Sequence, residues 1–222
     1  VTRNSALVLS VLLFFASVAV SIWAYPRMPA QVPSHFDAAG RIDGYLPKMI
    51  GVGLWPALIF ALALLIPILP AISPQGFRLK QSAAVLNLTL LGVMVVEFIA
   101  SIFVIRASLG KAAPPIGSSN LMIGILFVVI GNYMGKVRKN FFFGVRTPWT
   151  LASDEVWLRT NRLSGWLFVI GGITLAVLGF VNVDTASALT IVVSILVIVP
   201  VVYSLVVYKR IEGFTSNGSH DS

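Results

Sequence analysis

Apolar positions in this chain fall in long unbroken runs, with neither the two-residue alternation of a half-buried strand nor the single stripe of a surface helix. Six runs stand out: Ala6 to Tyr25, Met49 to Ile72, Ser82 to Ile105, Ile116 to Gly135, Leu163 to Val181 and Ala186 to Tyr208. A helix rises ~1.5 Å per residue, so roughly 20 residues cross ~30 Å of hydrocarbon. Each run therefore predicts a transmembrane helix, and the fold class is an all-α polytopic membrane protein with six spans. Outer-membrane strands are excluded, because they read as ~10-residue alternating segments. Pro56, Pro67 and Pro70 break the second run, and Glu97 is an acid inside the third. The first run is too long for a signal-peptide core and has no small-x-small cleavage pattern before Pro26, so it is expected to remain as a span.

Composition agrees with the pattern. Of 222 residues, 57% are hydrophobic and 11% charged, against about 25% charged in soluble domains. The absence of cysteine removes disulfides, thiolate metal sites and cysteine nucleophiles. The net charge of +8 matters mainly through its placement. If the N-terminus is inside, the inner segments carry eleven of the 16 basic residues; Arg27, Arg41, Lys48, Arg106 and Lys111 lie outside. The positive-inside rule then predicts both termini in the cytoplasm. Reporter fusions test this directly. Gly40 and Gly110 are expected to report the outside, and Gln75, Gly144 and Gly213 the cytoplasm; a cytoplasmic Gly40 or an external Gly144 would reverse the topology. With no soluble basic domain, nucleic acid is not an expected partner; the lipid bilayer is.

Two connections are long enough to carry chemistry. In the outer one, Pro26 to Lys48, prolines 26, 29 and 33 forbid a continuing helix. They predict an extended chain near polyproline II, with turns at Ala39-Gly40 and Asp43-Gly44. The inner one runs from Lys136 to Arg162. There Pro148 fixes a turn after Thr147, and Ser153 followed by Asp154 and Glu155 predicts a capped helix start that runs into the fifth span. Glu155 and Arg159 are spaced as a favourable i,i+4 pair. Residues 1–72 thus read as an N-terminal membrane unit and 73–210 as a core, followed by a polar, disordered tail at 211–222.

The inner motif runs through Gly131-Asn-Tyr-Met134, Phe143-Gly-Val-Arg-Thr-Pro-Trp-Thr150, Ser153-Asp-Glu-Val-Trp157 and Arg162-Leu-Ser-Gly165. It resembles the core of the SdpI family of bacterial membrane immunity proteins. The outer stretch, with Pro33, His35-Phe36, Gly40, Asp43-Gly44 and Lys48, resembles the uncharacterised N-terminal domain that often precedes that core. Gly135 and Asn161 depart from the family pattern, standing where proline and histidine are common. The resemblance implies a protein of the bacterial cytoplasmic membrane that protects the cell against a membrane-active peptide toxin. It also implies that some members signal to a cytoplasmic repressor.

The candidate site residues fall into two groups. On the outer side, His35, Asp37 and Asp43 could brace the loop, bind a cation or share a vestibule with Glu97, since an intramembrane carboxylate must be paired, protonated or facing a cavity. On the inner side are Asn132, Arg146, Thr147, Pro148, Trp149, Glu155, Trp157, Arg159 and Arg162. Tryptophan and arginine at an interface serve lipid anchoring as a matter of course. The fixed order around Pro148 points further, to a shaped surface in which Arg146 and Arg159 stand between walls made by Trp149 and Trp157. The phenylalanines 141–143 read as interface-buried, and Gly165, Gly172, Ala176 and Gly179 as a close helix contact. A non-enzymatic role without cofactor is the leading expectation. A small transporter or channel is the alternative that Glu97 and the prolines support, and a metalloenzyme built on His35, Asp43 and Glu97 is the third.

Overall fold

A computed structural model of the chain describes residues 1–36, 41–74, 79–111, 117–181 and 185–213. Asp37, the Ala39-Gly40 turn and residues 214–222 of the tail lie outside them. The fold is all-α apart from one hairpin. The helices are α1 (Arg3–Ala24), α2 (Lys48–Ala71), α3 (Leu79–Ser108), α4 (Ser118–Met134), α5 (Pro148–Ala152), α6 (Asp154–Phe180) and α7 (Thr185–Ile211). Five of them are long and apolar enough to cross a membrane; α4, at 17 residues, is shorter. At ~1.5 Å per residue α4 measures ~26 Å, close to the hydrocarbon thickness.

Burial follows a membrane logic. The buried face of α1 is made of small residues, Ala6, Ser10, Ser17, Ser21 and Ala24, while Phe15, Ile22 and Trp23 lie exposed. Across α6 and α7 the large apolar side chains also point outward, up to Phe180 at 73% exposure. In water that surface would be untenable; against lipid it is the favoured one, and small residues inside let backbones approach. Thr2 caps α1 by accepting from the Ser5 N–H.

Two expectations about the backbone are corrected by the structure. Pro56, Pro67 and Pro70 do not break α2, which is helical from Lys48 to Ala71. Neighbouring helices and an apolar solvent keep a proline-containing helix in place, because the chain has no water to turn to. The outer connection is also not a polyproline segment. It pairs as an antiparallel hairpin, β1 (Gln31–Phe36) with β2 (Ile42–Pro47), and Asp43-Gly44 lies within β2. The register shifts on either side of His35, which faces Gly44. Pro33 and Pro47 are tolerated because a two-stranded ribbon has only edges. The hairpin sits on the helix ends through Val32, buried with Ala24, Met28, Val52 and Ile105. Lys48 ties it down, its N–H donating to Ala30 O at 2.9 Å and its Nζ to Met28 O at 3.0 Å.

The α4–α6 contact is built on glycine. Gly117, Gly124 and Gly131 recur every seven residues, as do Gly165, Gly172 and Gly179. In the antiparallel pair they meet as 117 with 179, 124 with 172 and 131 with 165. A Cβ at Gly172 would lie 2.5 Å from Gly124 O, and one at Gly131 2.7 Å from Gly165 O. The expected helix contact through Gly165, Gly172, Ala176 and Gly179 is thus present, with its partner stripe supplied by α4.

Candidate functional site

The inner connection, 136–162, is an ordered platform built from the polar side chains within it. Asn140 is fully buried. Its Nδ2 donates to the carbonyls of Arg138 and Phe143, and its Oδ1 accepts the N–H groups of Phe142 and Phe143, all at 2.7–2.9 Å. One side chain therefore closes the turn that carries the three phenylalanines. Gly144 follows at φ +110, where a Cβ would meet Asn161 Oδ1 at 2.7 Å. Asn161, buried on α6, accepts from Val145 N at 2.8 Å and donates to Trp157 O. Asparagine at this position thus has a definite structural duty as acceptor for the platform backbone.

Thr147 and Pro148 make a tighter start than a simple turn. Thr147 is extended and caps α5, its side chain accepting from Thr150 N while Thr147 N donates to Thr150 Oγ1 at 2.8 Å. Proline takes the first helical position, where no N–H is needed. Ser153 caps α6 by accepting from Val156 N, and donates to Glu212 Oε1 at 2.6 Å. α6 then continues without interruption from Asp154 into the membrane, as the capping pattern predicts. Further ties reach α3, where Ser82 Oγ accepts from Arg138 N and donates to Arg138 O, and α7, where Thr147 Oγ1 lies 3.0 Å from Ser204 Oγ.

Trp157 is not a wall of an open surface. It is 1% exposed, its indole N–H donates to Val137 O at 2.8 Å, and it packs with Val85 and Val137. Its one polar atom is satisfied, as a buried indole requires. Trp149 is half-buried. Arg146 is exposed and stacks over the Phe141 ring, 4.5 Å from its centroid. Arg159 is engaged by Glu155, Nε to Oε1 at 2.6 Å. The cationic surface is therefore Arg146 on a phenylalanine face, with Arg159 already paired.

Asn132 and Arg162 belong elsewhere. They line a groove of about 360 Å³ between α4 and α6, with Gly131, Gly135, Lys136, Gly165, Trp166 and Val169. On the outer side the hairpin brings His35 and Asp43 together, Nδ1 to Oδ1 at 2.5 Å. Both are largely solvent-facing and engaged with each other. Glu97 stands apart on α3, its Oε2 buried without a hydrogen-bond partner. Among the described residues, no three or more His, Cys, Asp or Glu side chains converge on a point where a metal ion would sit. Asn140 and Asn161 are residues that sequence reasoning undervalued. An asparagine placed just before an aromatic run and a glycine is a recognisable turn signal.

Comparison with known proteins places the platform in a family context. Residues 136–204 match the SdpI/YfhL protein family, and residues 12–60 match a domain of unknown function, DUF1648. The chain is 25% identical over 210 residues to the Immunity protein SdpI of Bacillus subtilis (strain 168), an alignment covering 93% of this chain and 97% of that one. No solved structure matches.

Proposed function

For a multi-pass protein of the cell membrane that carries an SdpI/YfhL segment behind a DUF1648 segment, we propose a non-enzymatic immunity role: protection of the cell against a membrane-active peptide toxin. The observation that carries the reading is the end-to-end likeness to a protein named for immunity. The architecture is compatible with it, since an ordered inner platform offers Arg146 to a soluble partner such as a cytoplasmic repressor, and the outer hairpin offers His35 and Asp43 to an external peptide.

Deleting the gene and challenging cells with membrane-active peptides from the same or neighbouring strains tests the role; unchanged sensitivity to all of them would refute it. Two substitutions then test the sites. Arginine presents a planar fork that stacks and binds bidentately, which lysine cannot copy. Arg146→Lys is therefore expected to reduce protection or signalling by about tenfold, the equivalent of one ~1.4 kcal/mol contact, at unchanged abundance. Full activity in that variant means Arg146 only anchors the loop to lipid. Glu97→Gln is expected to impair protection and Glu97→Leu to do no better. If Glu97→Leu is fully active, the carboxylate is dispensable, as expected where an apolar replacement relieves a burial cost.

A further inference from the structure

The groove between α4 and α6 has a composition that neither helix packing nor the immunity reading explains. Packing accounts for Gly131 and Gly165, whose backbones touch. It does not account for the space beyond them, where Gly135 leaves an opening of about 360 Å³ flanked by Lys136 and Arg162. A Cβ on Gly135 would find its nearest neighbour, Arg162 Cα, at 3.5 Å, which is ordinary contact. Glycine here is thus not required for closeness, and its effect is to keep the groove open. Two cations, the Asn132 amide and the Trp166 indole line the groove, and among the described residues no acidic one does. Trp166 is 65% exposed and begins a line of outward apolar side chains on α6, continuing through Ile170, Ile173, Val177 and Phe180. These positions advance by four, three, four and three residues, which keeps them on one helix face. A charged pocket at the end of the span thus opens onto an apolar track running along it.

We propose that this groove is a binding site for one anionic phospholipid, whose headgroup phosphate is held by Lys136 and Arg162 and whose acyl chains lie along the Trp166–Phe180 face of α6. Charge complementarity selects the headgroup, and an arginine–lysine pair without a competing carboxylate suits a phosphodiester. The continuous apolar face selects a lipid over a free phosphate, because only a lipid fills both parts. The site differs from general surface attraction in having a stoichiometry and a shape.

The test uses the full chain purified in detergent, offered phosphatidylglycerol, phosphatidylcholine or inorganic phosphate, with bound lipid counted by native mass spectrometry and melting followed in parallel. One phosphatidylglycerol per chain is expected to be retained, with phosphatidylcholine released and inorganic phosphate leaving the melting temperature unchanged. Lys136→Gln and Arg162→Gln are each expected to weaken retention roughly fivefold, the worth of about one basic residue near a lipid surface. Gly135→Leu fills the opening with both charges retained, packing on the stem of Arg162, and is expected to abolish it. A Lys209→Gln/Arg210→Gln double variant removes two charges from the end of α7 and should retain lipid as the parent does. Equal retention of phosphatidylcholine, equal stabilisation by inorganic phosphate, or indifference to Gly135→Leu would each overturn the proposal. So would a dimer that Gly135→Leu dissociates, because a second chain would then be the occupant.

Discussion

Gly172→Ala is expected to destabilise the protein, while Gly53→Ala, on a helix of the same membrane bundle, is expected to leave it unchanged or firmer. Alanine is the better helix former by about 1 kcal/mol, so propensity alone favours both changes. Packing separates them. A methyl at Gly53 meets nothing within 4 Å, whereas at Gly172 it falls 2.5 Å from Gly124 O and 2.8 Å from Val128 N. Both obstacles involve the backbone of α4, so relief requires the two helices to part along their length. Overpacking of this kind costs roughly 1–3 kcal/mol, or several degrees in melting temperature at ~2–4 °C per kcal/mol for a chain of this size. Thermal unfolding in detergent measures it. A Gly172→Ala variant as stable as the parent would mean that the seam is looser than its geometry.

Asn140→Ala is expected to cost roughly 2–4 kcal/mol and to loosen the inner platform while leaving the spans inserted. The estimate follows from its bonds. The Phe142 and Phe143 N–H groups both rely on Asn140 Oδ1, and a buried donor left without a partner costs about 1–3 kcal/mol. Asn140→Asp keeps both acceptor contacts but sets its second oxygen against the Arg138 and Phe143 carbonyls and buries a charge, so it should cost at least as much as alanine. Limited proteolysis reads the loosening, with new cleavage between Lys136 and Arg146. Should Asn140→Ala resist protease as the parent does, the turn is held by the phenylalanines and the hydrogen bonds are incidental.

The spans could be read from the chain because run length alone decides them, and the start of α6 because Ser153, Asp154 and Glu155 act locally. The hairpin could not. Pro33 and Pro47 argue against strands, and its pairing depends on Val32 finding the ends of α1, α2 and α3, which is a tertiary event. Trp157 shows a different limit: an interfacial and a buried tryptophan look alike in sequence, and only its reach to Val137 O distinguishes them. The glycine seam was half visible. The stripe on α6 reads as a contact surface, but its partner emerges only when α4 is laid antiparallel and the seven-residue spacings coincide. His35 and Asp43 meet because β1 and β2 pair, and Glu97 does not join them because it belongs to α3, well below the hairpin.

α3 is grasped at both ends by structures that are not themselves transmembrane helices. Near one end Ile105 packs under the hairpin with Val32. Near the other, Ser82 exchanges two hydrogen bonds with Arg138, and Val85 packs on Val137 and Trp157 of the platform. Its 30 residues make a rod of about 45 Å. A displacement of the hairpin would therefore act on α3, the helix that also carries the contacts to the platform. Glu97, lacking a partner for Oε2, sits on this shaft between the two grips, where such a movement would change what surrounds its carboxylate.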